Sequence, residues 1–146
     1  LLAFTRTVTG LRTEHPVFRR RRFFAGQPIR KGDEVRDIAW LTPAGQEMTA
    51  EDWDSGFGKS LAVFLNGEGI PEPNHRGERI VDDSFLLCFN AHDEPIEFAT
   101  PAVVYGRTWE VAIDTFAPDG RSAARFDAGA TIPVGSRSLL VLRRVA

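Results

Sequence analysis

The sequence predicts a mainly β protein in which one α-helix precedes an antiparallel β-sandwich. Residues 1–13 place apolar side chains three and four positions apart, which is the period of an amphipathic helix. From residue 61 onward, apolar residues alternate with period two in short runs that turn residues separate. Short strands at regular spacing, with no further long helix, are typical of an antiparallel sandwich.

The first helix is predicted from one apolar stripe. Its members are Leu1, Phe4, Val8 and Leu11. Gly10 weakens the helix, and His15-Pro16 ends it, because the residue before a proline is pushed out of the helical conformation. The stripe needs an apolar surface to cover. The chain also begins without a methionine and inside this periodic pattern, so we expect it to be a piece of a longer protein.

The strands are predicted from alternating apolar residues and from the turn residues between them. They lie at residues 61–65, 85–89, 96–98, 109–114, 132–134 and 139–145. Trp109, Val111 and Ile113 alternate most cleanly and are expected to share one buried face. The last two strands are expected to pair with each other across Gly135-Ser136.

Local signals predict the remaining segments. Residues 66–82 contain two prolines and three glycines and are too long for a hairpin turn, so we expect a surface loop. Thr49-Ala50-Glu51-Asp52 has the form of a capping box and predicts a single helical turn. Residues 18–24, in which phenylalanines flank four arginines, are expected to form a short edge strand.

Composition limits the functions that this chain can have. Its formal net charge of −2 gives no general attraction to nucleic acid or to anionic membranes. The single cysteine, Cys88, excludes an internal disulfide framework and lies in an apolar run, which predicts a buried core position. No run approaches the ~18 apolar residues that a membrane helix needs, and Leu1–Arg6 lacks the pattern of a secretion signal. We therefore expect a cytoplasmic protein with no nucleic acid and no membrane among its partners.

We predict no catalytic, cofactor-binding or metal-binding residue in this chain. Adjacent side chains of a strand point to opposite faces, so Asp82 and Asp83 are expected to be solvated turn carboxylates and not an acid–base pair. The acidic residues at 51–54 are expected to be solvated cap residues. The three histidines lack the i, i+4 spacing of a helical metal pair. They are His15, His75 and His92.

Arginine and aromatic residues suggest two further hypotheses. The arginine run at residues 19–22 could neutralise phosphates. The acidic balance of the chain instead favours arginines whose stems cover apolar surface or whose charges pair with acids across a domain boundary. Four aromatic residues could form a sugar-stacking platform. They are Trp40, Trp53, Tyr105 and Trp109. We expect Trp109 in the core, and Trp40 and Trp53 in a groove between domains.

Several stretches together resemble the glycogen debranching enzymes of the α-amylase superfamily, in their isoamylase-like branch. The stretches are residues 1–24, 37–53, 82–98, 109–115 and 136–142. Their order and spacing cover nearly the whole chain. The resemblance implies three parts. They are the last helix and exit segment of a (β/α)₈ barrel at 1–24, a linker with a short helical turn at 25–59, and a C-terminal antiparallel β-sandwich at 60–146.

The resemblance also implies an activity for the parent enzyme, namely hydrolysis of α-1,6-glucosidic linkages by a retaining mechanism with two carboxyl groups. Those groups belong to barrel strands that precede residue 1, so the chain alone is expected to be inactive. Its expected partners are the catalytic barrel of its own full-length chain and, through the parent enzyme, an α-glucan. A homodimer through the first helix is left open. So are a stand-alone glycan-binding module, a protein-interaction sandwich, and a role in trehalose formation instead of storage glycogen.

Overall fold

The structure is a computed structural model of the chain, and it describes residues 1–55 and 58–146. Its helical elements are α1 (Leu2–Glu14), a 3₁₀ turn (Pro16–Arg19) and α2 (Ala50–Asp54). Its strands are β1 (Ile38–Leu41), β2 (Ser60–Leu65), β3 (Phe85–Asn90), β4 (Ile96–Ala99), β5 (Thr108–Asp114), β6 (Arg125–Asp127), β7 (Thr131–Val134) and β8 (Ser138–Arg144).

The strands form two antiparallel sheets that pack on each other. One sheet has the strand order β1-β2-β3-β8-β5-β6, and the other consists of β4 and β7. Side chains from both sheets meet in one apolar cluster, for example Leu86 and Leu142 of the larger sheet with Phe98 and Ile132 of the smaller one. The predicted fold class, a helix followed by an antiparallel sandwich, is therefore confirmed.

The core between the sheets is apolar and aromatic. Phe64 and Trp109 are fully buried, and their rings meet edge to face with centroids 6.3 Å apart. Cys88 lies in the same cluster, where burial raises the pKa of its thiol to about 12. The predicted core positions of Trp109 and Cys88 are confirmed.

Strand β5 does not keep the predicted alternation. Val111 and Ile113 pair with consecutive residues of β8, so Ala112 is an extra residue in a β-bulge. Because of the bulge, Trp109 points into the inner core while Ile113 belongs to a second cluster on the outer face of the sheet. The prediction that Ile113 shares the face of Trp109 was wrong, because an alternating pattern gives no sign of an inserted residue.

Strand β7 pairs with a different partner from the predicted one. It was expected to pair with β8, but it pairs with β4, with Ile132 opposite Phe98. The segment at Gly135-Ser136 therefore crosses from one sheet to the other. Asn90 supports this crossing, since its side-chain amide donates to the carbonyl oxygens of Val134 at 3.2 Å and Gly135 at 2.9 Å.

The sequence did not predict the edge strands β1 and β6. β1 lies within the stretch expected to be a linker, residues 25–59, and it pairs with β2. In the same stretch, the predicted capping box is confirmed. The side chain of Thr49 accepts a hydrogen bond from the backbone N–H of Asp52, whose carboxylate accepts one from the N–H of Thr49.

The predicted edge strand at residues 18–24 is wrong. Pro16 begins a 3₁₀ turn instead, because its fixed φ and missing N–H suit the first position of a helical turn. Residues 20–24 continue as irregular backbone. The connection at residues 66–82 contains no regular strand, as predicted, but it is not only a surface loop, since Ile70 is buried against the outer cluster.

Helix α1 covers part of the outer face of the larger sheet. Phe4 and Leu11 pack against the outer cluster, whereas Leu1 is 99% exposed and Val8 is 38% exposed. The helix ends at Glu14, and the backbone of the next residue, His15, is extended with φ −116° and ψ 103°, as the following proline predicts. Half of the predicted stripe thus rests on the sandwich of its own chain.

Candidate functional site

His15 and Asp82 form a largely buried polar contact between the end of α1 and the segment that leads into β3. We call this contact between the two side chains the pin. Nδ1 of His15 lies 2.8 Å from Oδ1 of Asp82, and the His15 ring meets the ring of Phe85 edge to face with centroids 4.8 Å apart. The second oxygen of Asp82 accepts a hydrogen bond from the backbone N–H of Val17 at 3.0 Å. One carboxylate therefore fixes both the helix end and the 3₁₀ turn to the sandwich.

An ion-pair network continues from this pin across the outer face. Arg143 of β8 donates to Glu110 of β5 through Nε at 2.9 Å and also through Nη2, and its Nη1 lies 3.4 Å from Oδ2 of Asp83. The hydrogen bond from Arg143 and the charges of Arg143 and Arg125 lower the pKa of Glu110 despite a smaller opposing effect of burial. Glu110 in turn raises the pKa of Arg143. Glu110 is thus held ionised, whereas a general acid needs a raised pKa.

The prediction for Asp82 and Asp83 was wrong in two respects. The side chain of Asp82 is only 7% exposed, so it is not a solvated turn residue. Both carboxylates also approach the same atom, Nδ1 of His15, at 2.8 and 4.0 Å. The two residues precede β3 in irregular backbone, so the alternation of a strand does not apply to them. His15 and Asp82 are 67 positions apart, and no local sequence signal connects them.

His15, Asp82 and Asp83 also bring three possible metal-ligand atoms within 4.8 Å of one another. The carboxylate of Asp82 already accepts hydrogen bonds from the N–H groups of Val17 and Asp83 and contacts His15. Arg143 places a positive charge beside Asp83, which opposes a cation there. The arrangement favours a hydrogen-bonded structural contact over a metal site. The absence of catalytic, metal and cofactor residues stays a prediction.

The arginine run contributes one buried side chain. Cζ of Arg20 lies 3.8 Å from the ring centroid of Phe24, and Nη1 lies 3.8 Å from Oδ2 of Asp37, with 5% of the Arg20 side chain exposed. Arg20 therefore covers apolar surface and faces an acid, as the sequence analysis favoured for this run. Arg21 and Phe23 are exposed.

Among residues 1–55 and 58–146, the outer face of the larger sheet is covered at one end and open at the other. Its side chains form three cross-strand rows. The first row contains Ile38, Leu65 and Phe85, the second contains Trp40, Val63, Leu87 and Val141, and the third contains Leu61, Phe89 and Leu139. Along β3, Phe85 is fully buried, Leu87 is half-buried and Phe89 is 39% exposed. Residues of α1, the 3₁₀ turn and the 66–82 connection therefore cover the first row and leave the last row more exposed.

Trp53 of α2 extends this surface, because its ring meets that of Trp40 edge to face at 5.5 Å between centroids. Trp40 is 42% exposed and Trp53 is 51% exposed. Together, six side chains form what we call the open apolar face, namely Trp40, Trp53, Leu61, Leu87, Phe89 and Leu139. Tyr105 is buried and its hydroxyl donates to Glu47, so this aromatic residue is not a sugar platform.

These features define a β-sandwich domain whose N-terminal helix is held on the outer face of the larger sheet by the contact between His15 and Asp82. The family model described as "Isoamylase, C-terminal" matches residues 37–143, and the chain belongs to this family. The chain is also similar to the glycogen operon protein GlgX homolog of Mycobacterium tuberculosis and of Mycobacterium bovis, with 60% identity over 144 residues in each case. Isoamylase 2, chloroplastic, of Oryza sativa subsp. japonica is 26% identical over 113 residues.

The matches cover this chain and the relatives very unequally. The mycobacterial alignments include 99% of this chain but 20% of each relative, so the chain spans about a fifth of their length. The rice alignment includes 77% of the chain and 12% of that relative. The resemblance to isoamylase-like debranching enzymes is confirmed. Within the described residues, the helices are too short and too polar to cross a membrane.

Proposed function

We propose that this chain is the non-catalytic C-terminal domain of a cytoplasmic glycogen debranching enzyme. The parent enzyme would hydrolyse α-1,6-glucosidic branch linkages in glycogen or a related α-glucan. The observation that carries this proposal is the family match over residues 37–143, together with 60% identity to mycobacterial glycogen operon proteins. The two carboxyl groups of a retaining glycosidase would belong to a (β/α)₈ barrel outside residues 1–146.

The state of the carboxylates in this chain supports a non-catalytic role. Retaining glycosidases place two carboxyl groups about 5–5.5 Å apart on either side of the bond to be cleaved, and one of them has a raised pKa. Here Glu110 is bound by Arg143 and Arg125, and its pKa is lowered. The carboxylate of Asp82 contacts His15 and accepts hydrogen bonds from two backbone N–H groups. These carboxylates stabilise the fold and are poorly suited to bind a sugar.

The proposed role of the domain is to stabilise the catalytic barrel. Residues 1–24 would be the last helix and exit segment of the barrel, and residues 60–146 the terminal sandwich. Residues 25–59 would be the linker between them, whose strand β1 (Ile38–Leu41) is also an edge strand of the sandwich. The pin between His15 and Asp82 supports this role, since it holds the end of α1 rigidly on the sandwich. A barrel that ends in α1 would then be held in a fixed position relative to the sandwich.

The test compares the full-length polypeptide with the 146-residue chain in one assay. We expect the full-length enzyme to release reducing ends from glycogen, and the 146-residue chain to release none above a buffer blank. A full-length enzyme with both barrel carboxyl groups replaced is the matched control. Debranching by the chain alone, or an inactive full-length enzyme, would contradict the proposal.

A second candidate function is that of a glycan-binding module, and the exposed pair of Trp40 and Trp53 is the observation that favours it. Aromatic rings can stack on sugar rings, but edge-to-face packing leaves this pair without one continuous platform. Co-sedimentation of the 146-residue chain with glycogen separates the two functions. Binding that Trp40→Ala and Trp53→Ala abolish would favour the module.

A further inference from the structure

We propose that the open apolar face is the surface on which the catalytic barrel of the same polypeptide docks. This inference rests on the proposed function and adds to it the surface through which the domain contacts its partner. The partner is the apolar exterior of a barrel domain, and the contact residues on this side are Trp40, Trp53 and Phe89, with Leu61, Leu87 and Leu139 beside them.

Continuity with α1 is the first argument for this partner. Phe4 and Leu11 of α1 already cover the outer face next to the open apolar face. The pin fixes the end of this helix to the same side of the sheet. A barrel that ends in α1 therefore lies on this side of the sandwich and not on the side of the small β4–β7 sheet. In the mycobacterial relatives the matched segment is 20% of the length, so most of each relative lies outside it.

The chemistry of the surface is the second argument. Trp40, Trp53 and Phe89 are 42%, 51% and 39% exposed, and the neighbours of Trp40 and Phe89 in their cross-strand rows are leucines and valines. Soluble monomers rarely expose a contiguous apolar patch beyond about 300–600 Å² unless it has a function. A glucan needs several placed polar groups as well as an apolar wall. This row of apolar side chains fits a protein surface better.

The experiment is hydroxyl-radical footprinting of unmodified protein, read residue by residue by mass spectrometry. It compares the 146-residue chain with the full-length enzyme, so it needs no substitution that could disturb folding. We expect oxidation of Trp40, Trp53 and Phe89 to fall at least several-fold in the full-length enzyme. Val103, which is 62% exposed in the turn before β5, is the control that should not change. Trp109 should be protected in both proteins.

A pair of variants makes a second test within the full-length enzyme. In that enzyme, Phe89→Lys should weaken docking and raise the oxidation of Trp53 above its rate in the wild type. Val103→Lys is the matched variant and should leave Trp53 protected. Equal oxidation of Trp40, Trp53 and Phe89 in the chain and in the full-length enzyme would overturn the proposal.

Two other partners would give different results. A second copy of the chain would protect these residues as the concentration of the 146-residue chain rises, with no protection specific to the full-length enzyme. A glucan partner would protect them only when maltoheptaose is added. Either result would overturn the proposal. The proposed function fails separately, by the absence of debranching activity in the full-length enzyme, whatever the footprint shows.

Discussion

Trp109 has the largest fully buried side chain of the described residues. Its indole N–H has no hydrogen-bond partner among these residues. Its ring packs against Phe64, which also contacts Tyr105 edge to face. A buried donor without a partner costs about 1–3 kcal/mol. Trp109 therefore stabilises the fold through its apolar area and its packing, and its polar atom weakens that contribution.

Replacement of Trp109 tests this balance. We expect Trp109→Ala to lower the free energy of unfolding by about 3–5 kcal/mol, a large part of the ~5–15 kcal/mol of a typical domain. Trp109→Phe should cost less, because it removes the unpaired N–H and keeps an aromatic ring. Urea unfolding measures both values. Trp53→Ala, at a 51% exposed position, is the control, and an equal loss at the two positions would contradict the assignment of Trp109 to the core.

Glu110 gives a prediction for pH dependence. Its pKa is lowered from the ordinary value of 4.5 in the folded chain, first by the hydrogen bond from Arg143. The folded state therefore binds this proton less readily than the unfolded state. The ion pair stabilises the fold above the unfolded pKa, and this contribution is lost as the pH falls through the lowered folded pKa. We expect Glu110→Gln to reduce stability at neutral pH and to make stability less dependent on pH in the acid range.

Urea unfolding of the wild type and of Glu110→Gln across the acid range measures that difference. Glu97→Gln, at an exposed position of β4, is the matched control. Its free energy of unfolding should change with pH as steeply as that of the wild type. If the two variants show the same slope, the pair between Glu110 and Arg143 does not stabilise the folded state.

At the scale of elements, the structure distinguishes two residues that the sequence placed on one stripe. Phe4 packs against the outer cluster and lies close to Gly120, where a Cβ would stand 2.7 Å from the Phe4 ring. Val8 is 38% exposed. Full burial of a phenylalanine side chain is worth about 1.5–3 kcal/mol, and Phe4 is half-buried. We expect Phe4→Glu to destabilise the protein by no more than about 3 kcal/mol, and Val8→Glu to have little effect.

Trypsin cleavage at Arg12 and Arg19 measures whether α1 leaves the sandwich. Cleavage should be faster in Phe4→Glu than in the wild type and unchanged in Val8→Glu. Asp82→Ala should also speed this cleavage, because it removes the acceptor for His15 and for the N–H of Val17. Equal cleavage in Phe4→Glu and Val8→Glu would show that the helix is not held through Phe4.

Strands with strong alternation could be predicted from the sequence, and so could the end of α1 at Pro16 and the capping box at Thr49. β6 has three residues, and β1 lies among turn residues, so neither carries a periodic signal. The bulge at Ala112 and the exchange of β7 to the small sheet depend on pairing between distant segments. The same holds for the pin, because His15 and Asp82 meet only once the sheet has formed. Four residues of the open apolar face, Leu61, Leu87, Phe89 and Leu139, were predicted as strand residues, whereas Trp40 and Trp53 were expected in a groove between domains. The side of the sheet that stays uncovered depends on where α1 lies.

At the scale of the whole molecule, two layers of unequal size enclose a single inner core. Strand β3 lies between β2 and β8 in the larger sheet, and Cys88 points from it toward the smaller sheet. Its neighbours across the strands are Ala62 and Leu140. Reagents can reach this thiol only if the two layers separate. Cys88 is therefore a natural reporter of global unfolding.

We expect alkylation of Cys88 in the native protein to be very slow, because burial raises the pKa of the thiol to about 12 and because the thiolate is the reactive form. When opening and closing are fast, the rate follows the population of the open state and rises about tenfold for each ~1.4 kcal/mol of lost stability. Trp109→Ala should then speed alkylation by roughly 100- to 4,000-fold, from its expected cost of about 3–5 kcal/mol. Trp53→Ala should change the rate by no more than about twofold. The measurement is mass spectrometry of native protein incubated with iodoacetamide at increasing urea. A rate that depends on neither urea nor Trp109 would mean that β3 opens locally, and the two layers would then not unfold as one unit.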